Sequence, residues 1–363
     1  MSRPLHLFVA LSSHGFGHLA QAAPVLNALR QRLPTLRLTV QCSLPAAVLQ
    51  DRISGDIERV TEATDVGMVM ASALDVQIGA SVEAYRVFHA SWESRLANQA
   101  ELLARLAPDM VFADIPYLPL AAAARLGIPA VALCSLNWAA ILKAYCPADP
   151  GLEAVHSTLL DAYNSATVFL CPAPSMLMPE LINSRPIGPI AIGGRNRRGE
   201  LDTRLSLVGT EILVLVGLGG VELRLPVERW PALPNMRWLV PTAWGVERPD
   251  TVSWDRVADI PFIDLLRSCD VLLTKPGYGS FAEAACNGKP VLYVERNDWP
   301  EEPGLSRWLM THGNAIGIAR SALTTGDLEE PLRALLAQPR RPALQPTGID
   351  EAADCLARCL EAR

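Results

Sequence analysis

Short apolar runs rich in Val, Leu and Ile recur along this chain, each followed by a longer amphipathic stretch. In the first half the runs are 5–11, 36–40, 110–113, 130–133 and 168–171. In the second half they are 212–216, 237–240, 271–273 and 291–294. Runs this short and this continuously apolar suit strands covered on both faces of a parallel sheet. Between them, residues 20–31, 91–106, 118–126 and 280–287 carry helical periodicity. A parallel strand reaches its neighbour only through a crossover, usually a helix. The alternation therefore predicts a doubly wound α/β fold.

The pattern pauses once, at residues 184–199, where Pro, Gly and Arg crowd together. Read as a linker, this stretch divides the chain into an N-terminal Rossmann-like domain, 1–188, and a C-terminal one, 189–345, expected to face one another across a cleft. A length of 363 residues suits two domains. Residues 346–363 read as an amphipathic helix, with Ala352, Cys355, Leu356 and Cys359 on one side, and are expected to pack back on the first domain.

Composition narrows the class. Half of the residues are hydrophobic and 19% are charged, which allows sizeable cores and argues against global disorder. A net charge of −6 lacks the basic excess of a general nucleic-acid binder. The most apolar region, 118–142, is broken by Arg125, Pro129 and Asn137. It falls short of the ~18 uninterrupted apolar residues of a spanning helix, so any membrane contact is expected to be peripheral. The eight cysteines form no CxxC pair and read as small buried hydrophobes of a reducing, cytoplasmic protein. No spacing suggests a zinc or calcium site.

Residues able to carry chemistry cluster after the strands. The first loop, Ser12-Ser-His-Gly-Phe-Gly-His18, lies between a strand and a helix. Open α/β sheets bind ligands at such positions, and Gly17 lets the backbone approach one. His14 and His18 are either functional or tie the loop together. Asp114 ends a strand of the same sheet; paired with His18 it would orient the imidazole, and its other reading is a helix N-cap.

The second half carries a more specific pattern. Lys275, Gly277, Gly279 and Ser280 sit on a glycine-rich loop between a strand and a helix. Close backbone access, a cation and a helix N-terminus all favour phosphate. Glu283, in about the first turn of that helix, is placed either to accept hydrogen bonds from ribose hydroxyls or simply to complement the helix dipole. The loop 294–303 offers polar groups for sugar hydroxyls, or is a solvated acidic loop. Tyr117, Leu118, Trp138, Ile141, Leu142 and Tyr145 read either as an apolar wall for an organic acceptor or as core.

The segment 261–303 resembles the nucleotide-sugar-binding region of GT-B glycosyltransferases, the group that includes the lipid II N-acetylglucosaminyltransferase and the UDP-glycosyltransferases. The loops His-Gly-Phe-Gly-His18, Lys275-Pro-Gly-Tyr-Gly279 and Glu301-Glu-Pro303 are also similar to those of the glycosyltransferase-like region of plant arabinose kinases. The resemblance implies a GT-B fold and transfer of a sugar from a nucleoside diphosphate donor, UDP by preference, to an acceptor hydroxyl with inversion. It implies His18 as base and Asp114 as its partner. Phe262 and Ile263 would line the base, Gly277, Gly279 and Ser280 the diphosphate, and Glu283 the ribose. Glu302 would reach the donor sugar, and Gly219 and Gly220 would belong to the glycine loop opening the second domain. No cofactor or metal is implied, the nucleotide-sugar being the substrate; the acceptor is not specified. Hydrolases and epimerases of the same fold, and a sensing module without turnover, are the alternatives. The chain departs from the resemblance at Gly17-His18-Leu-Ala-Gln21, where GHxxP is usual, at Pro303, where glutamine is usual, and at Lys275, where His, Arg or Asn is usual.

Overall fold

Strands β1 (His6–Leu11) and β4 (Met110–Asp114) lie side by side in the middle of a parallel sheet, and every residue of both is buried. The computed structural model that shows this describes residues 3–72, 74–146, 149–218 and 224–362. Around the central pair are β2 (Arg37–Gln41), β3 (Glu58–Val60), β5 (Ala130–Leu133), β6 (Val168–Pro172) and β7 (Ser184–Ile187), in the order β3-β2-β1-β4-β5-β6-β7. This sheet belongs to a first unit made of residues up to 71, 75–190 and from 347 onward. Order reverses between β1 and β4, so the loops after these two strands flank the switch point, the place where doubly wound sheets open a crevice.

A second unit, residues 72–74 and 191–346, has its own parallel sheet. Its strands are β8 (Ile212–Gly217), β9 (Met236–Val240), β10 (Thr251–Ser253), β11 (Val271–Thr274), β12 (Val291–Val294) and β13 (Ala315–Ile318), in the order β10-β9-β8-β11-β12-β13. Strand periodicity sends Val214 and Val216 into one core and Leu213 and Leu215 into another, one on each face. The switch point here falls between β8 and β11, where Gly217 pairs with Thr274.

The stretch 184–199 differs from the linker expected of it. Residues Ser184–Ile187 form β7, the edge of the first sheet, and the helix Arg198–Leu205 begins before the stretch ends. Three of the four β7 residues are exposed, so the strand lacks an apolar signature. The helix Gly348–Glu361 packs on the helix Gly17–Arg32 within the first unit. It buries Ala352, Cys355, Leu356 and Leu360, while Cys359 is half-buried. Arg32 reaches Asp350 at 2.8 Å and Asp354 at 2.7 Å. Among the described residues no helix is long and apolar enough to cross a membrane.

Burial, not the ion pairs, holds this terminal helix. Leu356 is fully buried, whereas Asp350 is 76% exposed and Asp354 51%. Leu356→Ala is expected to destabilise the first unit by about 2–5 kcal/mol, and Arg32→Ala by no more than about 1 kcal/mol. Urea unfolding followed by a probe in the first unit measures both; equal effects would show that the charges carry the contact.

Candidate functional site

The first cluster is built where β1 and β4 end. Leu11 stands opposite Asp114 in register, and the Ser12 amide donates to the Asp114 carbonyl at 2.9 Å. The chain then turns through Gly15, whose φ of +81° is one that L side chains rarely adopt, and enters the helix at Gly17. His18, the second residue of that helix, is 6% exposed. Its Nδ1 lies 2.9 Å from Oδ1 of the fully buried Asp114, across a sequence separation of 96 residues. Burial pushes the Asp114 carboxyl up, and the hydrogen bond and charge of His18 oppose that shift. The Asp114 side chain therefore does not cap a helix: the next helix, Tyr117–Leu126, has Pro116 as its cap residue and no side-chain cap bond. An ionised Asp114 accepts from Nδ1–H, which assigns basicity to the other ring nitrogen, Nε2.

Three residues that the sequence did not single out for this site complete it. Trp138 is fully buried, and its Nε1–H donates to Asp65 Oδ2 at 2.9 Å. Its ring meets His14 edge-on at 5.0 Å and His18 at 5.8 Å between centroids. Asp65 is half-buried; desolvation pushes its carboxyl up, against hydrogen bonds from Ser12 and Trp138 and the charge of His18. Cys134 follows β5 and places its Sγ 3.7 Å from His18 Nδ1. His14 is held by its Nε2 against the Met68 carbonyl at 2.8 Å, and a side chain at Gly67 would collide with its ring. His14 therefore ties the first loop to the segment carrying Asp65. Asp65 follows a three-residue edge strand with almost no apolar signal, which left its position invisible in the sequence.

Of the residues read either as an apolar acceptor wall or as core, all but the half-buried Tyr145 are core. Tyr117, Leu118, Trp138, Ile141 and Leu142 are all at most 4% exposed, and Tyr117 packs with His89, whose Nε2 lies 3.0 Å from the phenol oxygen. The helix after Asp114 buries Tyr117, Leu118, Leu120, Ala122 and Ala123 against the neighbouring helices and strands.

The second cluster lies wholly in the second unit, at its own switch point. Thr274 ends β11, and the helix Tyr278–Cys286 begins after Lys275, Pro276 and Gly277. A Cβ at Gly277 or Gly279 would meet nothing within 4 Å, so the backbone on this side is open. Ser280 is the third residue of the helix, within the turn whose amides have no carbonyl of their own helix to bond. Lys275 is half-buried; desolvation, aided by the charge of Arg296 and opposed by Glu301, lowers its pKa to about 8. Glu283 is the sixth helix residue, in the second turn, so it does not sit at the dipole's end. Phe262 begins the helix Phe262–Ser268 and packs its ring on Gly217, and the Ile263 carbonyl lies so close to Gly194 that any side chain there would overlap it. Gly219 and Gly220 lie outside the described residues.

Glu302 does not simply point at a ligand. It is 6% exposed and its Oε2 accepts from the Arg296 amide at 2.5 Å, closing the loop between β12 and the helix Glu302–His312. Burial pushes its carboxyl up, opposed by that hydrogen bond. The Arg296 guanidinium lies 4.3 Å over the Trp299 ring, and the Trp299 indole donates to Glu301 at 3.1 Å. The segment is thus a closed, internally bonded loop rather than the solvated acidic one that its composition permits.

No protein-family model matches the chain. It is 24% identical over 336 residues to the L-arabinokinase of Arabidopsis thaliana, a match covering 88% of this chain and 31% of that protein. The chain thus spans about a third of the length of its curated relative. Among solved structures it is similar to the glycotransferase of kitacinnamycin, at 21% identity and a TM-score of 0.63, over 99% of this chain and 96% of that one. It is also similar to a UDP-glucosyltransferase from Polygonum tinctorium capable of glucosylating indoxyl, at 15% identity and a TM-score of 0.64, over 100% of both. The fold is that of the GT-B glycosyltransferases.

The Glu302 contact yields a structural expectation. Glu302→Ala leaves the buried Arg296 amide without its acceptor and should lower the stability of the second unit by about 1–3 kcal/mol. Glu302→Gln keeps an acceptor oxygen and should lower it less. Denaturant unfolding of the two variants decides the matter; equal stability of Ala and wild type would mean that the loop does not depend on this bond.

Proposed function

We propose that the protein is an inverting glycosyltransferase that moves a sugar from a nucleoside diphosphate donor, UDP by preference, to an acceptor hydroxyl. The observation that carries this reading is the buried His18–Asp114 pair at the carboxyl edge of the first sheet. Asp114 holds the imidazole in one tautomer and stabilises the imidazolium. Nε2 takes the acceptor proton as the acceptor oxygen bonds to the anomeric carbon, and the bond from that carbon to the diphosphate breaks.

In the second unit, Lys275 and the amides of residues 278–280 receive the charge that develops on the departing diphosphate. Gly277 and Gly279 admit the phosphates close to the backbone, Glu283 binds the ribose hydroxyls, and Phe262 and Ile263 bound the base. Glu302 acts through the loop it closes. No step calls for a metal or a further cofactor.

The decisive assay is diphosphate release from UDP-, GDP- and dTDP-sugars, with and without acceptor pools. The transferase requires that an acceptor accelerate release; fast release with water alone, yielding free sugar, would instead make the protein a hydrolase. His18→Ala is expected to cut turnover ~100-fold or more while leaving donor affinity nearly unchanged, with Asp114→Asn acting in the same direction. Full activity in both variants would move the base elsewhere.

Lys275 gives the donor site a pH signature. Its pKa of about 8 means that it is protonated at neutral pH and loses its charge as pH rises through that value. The terminal phosphate group, with its second pKa near 6, is fully ionised across the same range. UDP affinity measured calorimetrically between about pH 7.5 and 9.5 is therefore expected to fall with rising pH. Lys275→Ala should bind more weakly at the low end and lose most of that slope; an unchanged slope would remove Lys275 from the phosphate site.

A further inference from the structure

The corner that holds the dyad has the geometry of a metal site. His18 comes from a helix N-terminus, Asp114 from the end of β4 and Cys134 from the residue after β5. All three are buried, and their ligating atoms lie within 4.8 Å of one another. Nδ1 and the carboxylate oxygen are 2.9 Å apart, and Sγ is 3.7 Å from Nδ1. Zinc binds His nitrogen at about 2.0–2.1 Å, carboxylate oxygen at about 2.0–2.2 Å and thiolate at about 2.3 Å. Tetrahedral angles then require edges of about 3.4 Å between N and O and about 3.6 Å between N and S. The Sγ–Nδ1 separation of 3.7 Å already matches its edge, and the His18–Asp114 pair would open by only about half an ångström.

Two further observations point the same way. Asp114 Oδ2 is buried without a hydrogen-bond partner of ordinary geometry, and the Cys134 thiol is the group that acts on this carboxyl beside His18. The charge of Asp65 acts on both His18 and Asp114, so the corner concentrates negative potential at short range. One nitrogen, one hard oxygen and one thiolate form a donor set that suits zinc and cobalt(II) and is poor for magnesium or calcium.

We propose that His18, Asp114 and Cys134 bind a zinc ion, and that the bound ion switches the dyad off. Zinc takes Nδ1; the proton there passes to Nε2 as the ring changes tautomer, and the thiol proton leaves to solvent. With Nε2 protonated, the ring cannot accept a proton from an acceptor hydroxyl. The inhibition rests on the reading of His18 as the base; the binding does not.

Cobalt(II) tests the site without reference to turnover. The full chain, stripped of metal by chelator, is expected to take up one cobalt with a thiolate-to-metal charge-transfer band and the intense visible bands of a tetrahedral centre. Zinc should displace it. Cys134→Ser should lose the charge-transfer band and bind zinc ~10–100-fold more weakly, the effect of zinc being read against each protein's own metal-free rate. Zinc should inhibit the wild type reversibly and spare the variant at the same concentration. X-ray absorption of the zinc-loaded wild type, which needs no variant, should show one sulfur among nitrogen and oxygen ligands. A shell of nitrogen and oxygen alone, or a band that persists in Cys134→Ser, would overturn the proposal. Cobalt bound with the expected spectrum in a protein that turns over no nucleotide-sugar would sink the transferase reading and leave the metal site standing.

Discussion

The alignment of β1 on β4 is the constraint from which the first unit's chemistry follows. Parallel pairing sets Leu11 opposite Asp114 and brings Ser12 onto the Asp114 carbonyl, so the first loop starts against the strand end that carries the carboxylate. A slip of one residue would turn the Asp114 side chain to the other face of the sheet and break its 2.9 Å contact with His18. Residues of no catalytic type guard that register. The six-residue β1 is buried throughout, and each fully buried Val, Leu or Phe side chain contributes about 1.5–3 kcal/mol through burial. Trp138 then fills the space beside both loop histidines, with its one polar atom satisfied by Asp65.

The two clusters use different physics. In the first unit the groups are side chains withdrawn from water: His18 and Asp114 are at most 6% exposed, and burial is what raises the Asp114 carboxyl. In the second unit the open feature is backbone: glycines with nothing beside them, at the start of a nine-residue helix. A buried carboxylate and imidazole suit proton transfer, where a small change in environment moves a pKa by units. Exposed amides with a neighbouring cation suit a ligand that brings its own charge.

Much of the fold was legible in the sequence, and the strands that were not share a cause. The nine strands read from apolar runs are present, and the four that were not read, β3, β7, β10 and β13, are the edges of the two sheets. An edge strand is short and half solvated, so it need not be apolar on both faces; β3 and β7 are exposed along most of their length. That gap also hid Asp65, which enters the site just after β3. His18 and Asp114 were legible because each follows a central strand. Trp138 was visible as wall or core alike, since sequence does not say which buried aromatic rings border a site. Glu302 was visible too, yet its contact with the Arg296 amide depends on a loop conformation that no spacing encodes.

The first unit is discontinuous, and this has a consequence for the order in which the protein can assemble. The helix Gly17–Arg32 has its covering partner, Gly348–Glu361, on the far side of residues 191–346, which make up nearly all of the second unit. During synthesis the ribosome delivers the whole second unit before the first can be covered. Until then the face of the helix Gly17–Arg32 that meets Gly348–Glu361 lacks its packing. Nascent chains with apolar surface waiting on a distant segment are the ones that engage chaperones and mispair with one another. The helix that carries His18 is that same helix, so its covering waits until residues 191–346 have been translated.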